Sequence, residues 1–331
     1  MRKLNQRTHT KTKAAQALVA STQEAMNTGL VVATHGRHCV VELDDGMRIL
    51  CHPRGKKSQS VVGDRVRWQA AADEGTIESV LERKNLFYRR DEVRTKSFAA
   101  NLDQVFILLA AEPEFSENQL TRALIAAEAT GIRPVIALNK SDLTEPFGRA
   151  WAKLAPYRAM GYSVMPISLS PRSPVADDGV TALCAKLKGL TTLVLGPSGS
   201  GKSTLINRLV PSAQALTQEI STALNSGKHT TTSTTHYWTD DARTTALIDS
   251  PGFQEFGLQH IDPMRLASLM PDLCAWVGQC KFYNCSHLHE PGCGVMARLA
   301  PRESDDSGGI ISPHRYRIYQ ELFAELSQQR Y

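Results

Sequence analysis

The sequence predicts three folding units in one chain: a small β-barrel, an α/β domain built on a parallel sheet, and a small helical C-terminal unit. Three observations carry this. From Thr28 to about Arg90, short β-branched-rich stretches are separated by turns; from Asp103, apolar strands alternate with helical stretches; and four of seven cysteines (Cys274, Cys280, Cys285, Cys293) fall close together near the C-terminus. At 331 residues, 42% of them hydrophobic, the chain is long enough for two or three domains with separate cores. The expected divisions are a basic flexible arm over 1–27, the barrel over 28–90, the α/β domain over 91–260 and the helical unit over 261–331.

Arg2, Lys3, Arg7, Lys11 and Lys13 all precede the first acidic residue, Glu24, so the arm suits a polyanion although the net charge is only +5. The longest apolar run, Val105 to Ala111, is far short of the ~20 residues that span a bilayer, and no signal-peptide core follows the N-terminus. A cytoplasmic protein with no membrane partner is expected. Clustered cysteines in such a chain favour metal over disulfides.

In the barrel, strands are expected over 29–34, 39–43, 47–51, 64–69 and 75–81, with no helix between them. An OB-fold fits best, with an SH3-like spacer as the alternative. The insert His52-Pro53-Arg54-Gly55-Lys56-Lys57, followed by Arg65, Arg67 and Trp68, puts a basic loop beside an aromatic, a combination suited to single-stranded or looped RNA.

In the α/β domain, strands are expected over 104–109, 134–138, 163–167, 191–195 and 244–248, and helices near 117–130, 147–160, 177–188 and 202–209. Gly196-Pro197-Ser198-Gly199-Ser200-Gly201-Lys202-Ser203-Thr204 satisfies GxxxxGK[ST] between a strand and a helix. There, backbone N–H groups and the helix N-terminus cradle phosphates, Lys202 reaches the β- and γ-phosphates, and the Ser203 hydroxyl ligates Mg²⁺. The loop does not choose the base. Asn139-Lys140-Ser141-Asp142, at the end of an apolar strand, does: the Asp142 carboxylate can accept from both N1–H and the N2 amine of guanine, a donor pair that adenine lacks. Asn139 would bond the base edge and fix the neighbouring loop while the Lys140 stem packs on the ring. Ser168, within Pro166-Ile167-Ser168-Leu169-Ser170, sits where a backbone N–H would meet guanine O6.

Asp249-Ser250-Pro251-Gly252 matches the DxxG element, with Asp249 holding magnesium through water and the Gly252 N–H sensing the γ-phosphate. The Ser/Thr-rich stretch Gly227-Lys228-His229-Thr230-Thr231-Thr232 is placed as a first switch loop, and Thr231 is the favoured magnesium ligand within it. Phe253 stands where many GTPases carry a water-orienting glutamine, so His229 becomes the candidate catalytic group. Slow turnover, raised by a partner that orders this loop, follows. A potassium-dependent mechanism would call for asparagine where Gly199 stands.

The base motif precedes the P-loop and the DxPG element comes last, a permuted order. With the GKHTTT loop, the β-rich N-terminal domain and the Cys/His segment, the chain resembles the RsgA (YjeQ) family over about residues 28–325. The resemblance implies an OB-fold, a circularly permuted α/β P-loop GTPase domain and a zinc-binding C-terminal domain. It also implies a role in late maturation of the 30S ribosomal subunit, with GTP hydrolysis to GDP stimulated by that subunit and 16S rRNA among the contacts. The family's proposed catalytic histidine falls on His229; departures are Lys228 where arginine is usual and the Ser200/Thr204 form of the P-loop.

Cys280, Cys285, His287 and Cys293 give CxxxxCxHxxxxxC, three thiolates and one imidazole, enough to close a tetrahedral structural Zn²⁺ site and matching the family's ligands; His289 and Cys274 lie outside the spacing. An amphipathic helix over 314–328 completes the unit. An ATPase of the transporter type would need an LSGGQ-like signature that is missing. An RNA-binding scaffold without turnover would not need intact Lys202, Ser203 and Asp249. Nothing in the sequence demands more than a monomer.

Overall fold

The computed structural model describes residues 27–36, 38–55, 60–70, 74–90, 95–170, 176–214, 216, 234–250, 253, 256–299 and 311–328. Five strands, β1 (Asn27–His35), β2 (His38–Glu42), β3 (Arg48–Pro53), β4 (Arg65–Ala70) and β5 (Gly75–Val80), close a barrel in the order β1-β2-β3-β5-β4-β1. Only β3 and β5 run parallel within it. Side chains alternate across β4, with Arg65 and Arg67 outward and Val66 and Trp68 inward onto Val31, Val41, Cys51 and Ile77, as a two-residue period requires. This is the small barrel that the sequence predicts.

A hairpin of β6 (Leu86–Arg90) and β7 (Thr95–Ala100) follows, so residue 90 lies within a paired element. The sequence reading missed both strands. The larger sheet then runs β10 (Ser163–Pro166), β9 (Arg133–Asn139), β8 (Gln104–Ala110), β11 (Thr191–Leu195) and β13 (Ala246–Asp249), all parallel, with β12 (Thr235–Trp238) antiparallel on β13. Every residue of β8 is buried because helices cover both faces. Val105, Ile107 and Leu109 pack toward α1 (Glu117–Thr130), whereas Phe106 and Leu108 pack toward α4 (Ala176–Leu187) and α5 (Lys202–Leu209).

Local chemistry sets the helix ends. Ser116 caps α1 by accepting from the Gln119 N–H at 3.3 Å, and Gly131 ends it at φ +65°. Where one helix is expected over 147–160, two form: α2 (Thr144–Lys153) and α3 (Ala155–Ala159). Pro156, which cannot donate to the preceding turn, restarts the helix after Leu154. The strand expected from Thr244 begins two residues later, because Asp240 accepts from the N–H groups of Thr244 and Thr245 at 2.9 and 2.8 Å and holds them in a turn.

A pairing of Thr235 with Ala33 joins β12 to β1 and makes barrel and α/β sheet one continuous eleven-stranded sheet. Glu42 reinforces the joint, accepting from Trp238 Nε1 at 2.6 Å and from Arg48 Nε at 2.9 Å. The C-terminal unit, with α6 (Pro271–Val277) and α7 (Pro313–Ser327), docks on α1. Arg315 carries much of that contact: it donates to both Asp272 oxygens at 2.9 and 3.1 Å and to Thr121 Oγ1 at 2.6 Å. No helix among the described residues is long and apolar enough to cross a membrane.

Candidate functional site

The C-terminal ends of parallel strands β8, β9, β10, β11 and β13 converge on one rim, where open α/β sheets bind ligands. Asn139, the last residue of β9 and only 3% exposed, ties three loops together there. Its Nδ2 donates to the Ser200 carbonyl in the glycine-rich loop at 2.9 Å. Its Oδ1 accepts from the backbone N–H of Lys140 at 2.7 Å and of Leu169 at 3.0 Å. Gly201 makes this approach possible, for at φ +102° any Cβ would lie 2.5 Å from Asn139 Nδ2.

Asp142 is exposed on the same rim, and its Oδ1 accepts from the fully buried Ser168 hydroxyl at 2.6 Å. The neighbouring Ser141 N–H donates to the Ile167 carbonyl at 3.1 Å. One carboxylate oxygen is thereby fixed and the group aimed. The sequence-predicted base-recognition residues Asn139, Lys140, Ser141, Asp142 and Ser168 are thus brought together. Sequence reasoning missed the loop after β8. There Lys140, held at φ +68°, donates through Nζ to the Glu112 carbonyl, and a Cβ on Gly199 would meet Pro113 at 3.2 Å. Its position at a strand's C-terminal end was the available signal.

In the glycine-rich loop, Gly196 and Ser200 are buried while Ser198, Gly199, Ser203 and Thr204 are exposed. Lys202, opening α5, donates through Nζ to the Gly196 and Pro197 carbonyls at 2.6 and 3.1 Å. Burial lowers the Lys202 pKa, against the attraction of Asp249. Asp249 ends β13 in register with Val194 of β11, and burial raises its carboxyl above the usual range despite Lys202 and the Ser250 N–H. A half-buried lysine and carboxylate with neither charge fully solvated is a site prepared for anionic phosphate and a cation. Ser203 and Asp249 fit a Mg²⁺ ion, having hard oxygen donors beside a phosphate cradle. His229, Thr231 and Gly252 lie outside the described residues.

The Cys/His cluster forms as the spacing predicts. The ligand atoms of Cys280, Cys285, His287 and Cys293 all lie within 4.8 Å of one another. Cys280 Sγ and Cys293 Sγ are 3.9 Å apart, and His287 Nδ1 stands 3.4 and 3.5 Å from these two sulfurs. Ligands at the ~2.0–2.3 Å usual for zinc, placed tetrahedrally, would be separated by about 3.5–3.8 Å. The edges fit. His287 sits at φ +60°, in the left-handed region that few non-glycine residues adopt and in which histidine is among the commoner ones. Tyr316 and Tyr319 on α7 donate to the His287 and Ser286 carbonyls at 2.6 and 2.7 Å. Burial opposes ionisation of Glu290, but hydrogen bonds from Ser286 and the following backbone hold its carboxyl well below the usual range.

The RsgA GTPase family model matches residues 80–259, more than half of the chain. A small ribosomal subunit biogenesis GTPase RsgA from Variovorax paradoxus is 69% identical over 306 residues, covering 92% of this chain and 94% of that protein. The chain belongs to the RsgA GTPase family. A second RsgA, from Burkholderia pseudomallei, is 51% identical over 302 residues, covering 91% and 92% of the two chains. Among solved structures, YjeQ from Thermotoga maritima superposes with a TM-score of 0.66 at 30% identity, covering 92% of this chain and 99% of that one. YloQ, described as a circularly permuted GTPase, gives 0.65 at 26% identity over 94% and 99%. The RsgA architecture accounts for the motif order: the Asn139–Asp142 motif at the end of β9 precedes the glycine-rich loop after β11 in sequence, yet the two meet at Asn139.

Proposed function

We propose that this chain is a GTPase that binds the small (30S) ribosomal subunit and assists its late maturation, hydrolysing GTP to GDP and phosphate with stimulation by the subunit. The observation that carries this is the convergence at Asn139 of the phosphate loop, the Asp142 loop and the Ser168 loop. On this reading Asp142 and Ser168 select guanine, and the N–H groups of residues 196–204 hold the phosphates. Lys202 exchanges its two loop carbonyls for β- and γ-phosphate oxygens. Ser203, Asp249 and Thr231 would hold magnesium, which neutralises charge between the β- and γ-phosphates. The Gly252 N–H senses the γ-phosphate, and His229 orients the attacking water, taking the place of the glutamine that Phe253 displaces.

The Cys₃His cluster is proposed to hold one structural zinc ion, with no position left for substrate. The barrel and the basic arm are assigned to 16S rRNA, with division of the chain at 27, 90 and 260. The working form is a cytoplasmic monomer.

Nucleotide discrimination tests this reading. Wild-type protein is expected to bind GTP or GDP at least ~10³-fold more tightly than ATP, and Asp142→Asn to lose most of that preference, since an amide presents N–H groups to guanine donors. Equal competition by ATP for the wild-type site would sink the assignment.

A further inference from the structure

On the outer wall of the barrel, two histidines from neighbouring strands and a glutamate at the approach to a third come together. Cys39 of β2 pairs in register with Cys51 of β3, and both side chains point into the barrel core. A two-residue period therefore turns their chain neighbours His38 and His52 outward, side by side across the same two strands. Gly75 of β5 pairs with Cys51 on the other side of β3, so Glu74, one residue earlier, arrives beside the imidazoles. Glu74 Oε2 lies 3.4 Å from His52 Nδ1 and 3.7 Å from His38 Nδ1. The side chains of His38, His52 and Glu74 are 47%, 46% and 34% exposed, so an ion can reach all three without disturbing the core.

Both gaps are longer than the ~2.7–3.2 Å of an ordinary hydrogen bond. They come close to the ~3.3–3.6 Å that separates two ligands held tetrahedrally about one ion at ~2.0–2.2 Å. The same carboxylate oxygen faces the same ring nitrogen of each histidine, as ligands of a shared ion do. His52 also has an outer partner, since its Nε2 has Thr76 Oγ1 within reach at 3.4 Å. With Nδ1 on a metal, Nε2 carries the proton and donates to that hydroxyl, an arrangement that fixes ring and tautomer in metal sites. Arg54, two residues after His52, is held by Glu78 at 2.6 Å instead of turning to Glu74.

We propose that His38, His52 and Glu74 form a metal site on the barrel, taking one Zn²⁺ or a similar borderline divalent ion. Imidazole suits such ions, whereas Mg²⁺ and Ca²⁺ favour oxygen donors. Three protein ligands leave a fourth position open to water, unlike the Cys₃His cluster. The ion clamps β2, β3 and the start of β5 together on the face away from the barrel core. The proposal depends neither on GTP hydrolysis nor on the ribosome.

The test uses the untagged full-length chain without nucleotide, dialysed against micromolar free Zn²⁺ in excess Mg²⁺, with bound zinc counted by atomic emission. Wild type is expected to hold one equivalent more than the His38→Ala/His52→Ala double variant, a difference that reads the barrel whatever the Cys₃His cluster carries. Glu74→Gln should weaken binding of that equivalent about tenfold or more, and Thr76→Val about tenfold, the loss usual when an outer partner is removed. Circular dichroism checks that each variant folds. Long-range ¹H–¹⁵N NMR of the wild-type imidazoles decides the matter should a variant misfold: the Nδ1 signals of His38 and His52 are expected to shift with Zn²⁺. Equal zinc in wild type and the double variant, release of the extra equivalent by Mg²⁺, or unmoved imidazole signals would overturn the proposal and leave two imidazoles beside a carboxylate.

Discussion

Asp249 and Lys202 lie together at the rim of the sheet, and burial works against both charges. A carboxyl whose folded pKa lies above its unfolded value stabilises the fold only below the unfolded value, near ~3.9, and that contribution is lost as pH rises through the folded pKa. At neutral pH the Asp249 carboxylate therefore costs the nucleotide-free protein stability. Asp249→Asn is expected to raise the nucleotide-free Tm slightly at pH 7, with the difference from wild type vanishing below about pH 4. On its proposed role the same variant loses about 10²-fold or more in hydrolysis. Thermal melts across pH check the first claim, and a lower Tm for the variant at pH 7 would refute it.

At the scale of elements, the C-terminal unit has little apolar core of its own and depends on the cluster, on Tyr316 and Tyr319 over its loop, and on Arg315 beneath α7. Chelating the metal is expected to unfold residues 278–299 and to lower the Tm of the whole protein by about ten degrees or more, since metal-binding free energy becomes folding free energy here. Near-UV circular dichroism of the tyrosines would report it; an unchanged spectrum after verified metal loss would argue against a structural metal. The cluster was legible in the sequence because thiolate spacing is itself the signal. The five barrel strands and the parallel strands were legible through alternation and apolar runs. Strand β12 was not, because Thr235-His236-Tyr237-Trp238 has no apolar period; its burial comes from pairing with β13 on one side and β1 on the other. Hairpin β6–β7 escaped for a similar reason, since Phe87 and Phe98 find their partner in Phe256, far along the chain. The Glu112 contact of Lys140 is made by a carbonyl and a loop shape, which residue identity does not encode.

Across the whole molecule, β12 joins the two large domains. Residues 217–233 lead into it, it pairs with β13 through Thr235 and Asp249, and it hands on to the barrel through Ala33 and the Glu42–Trp238 bond. After Asp249 the chain returns to hairpin β6–β7, where the Arg90 N–H donates to the Gly257 carbonyl at 3.0 Å. The described residues that follow both segments expected to respond to the γ-phosphate therefore contact the barrel side of the molecule. Glu42→Ala leaves the Trp238 indole N–H and the Arg48 guanidinium without this partner and is expected to cost about 1–3 kcal/mol. Hydrogen exchange should quicken in β1 and β12 while the parallel strands stay protected; uniform protection in the variant would show that Glu42 does not hold the joint.

The most direct test of the central claim is steady-state GTP hydrolysis by the purified protein, alone and with 30S subunits, beside an ATP control. Slow intrinsic turnover, strong stimulation by the subunit and no response with ATP are the expected results. GTP binding with no stimulated turnover would contradict the claim and leave an RNA-binding scaffold in its place.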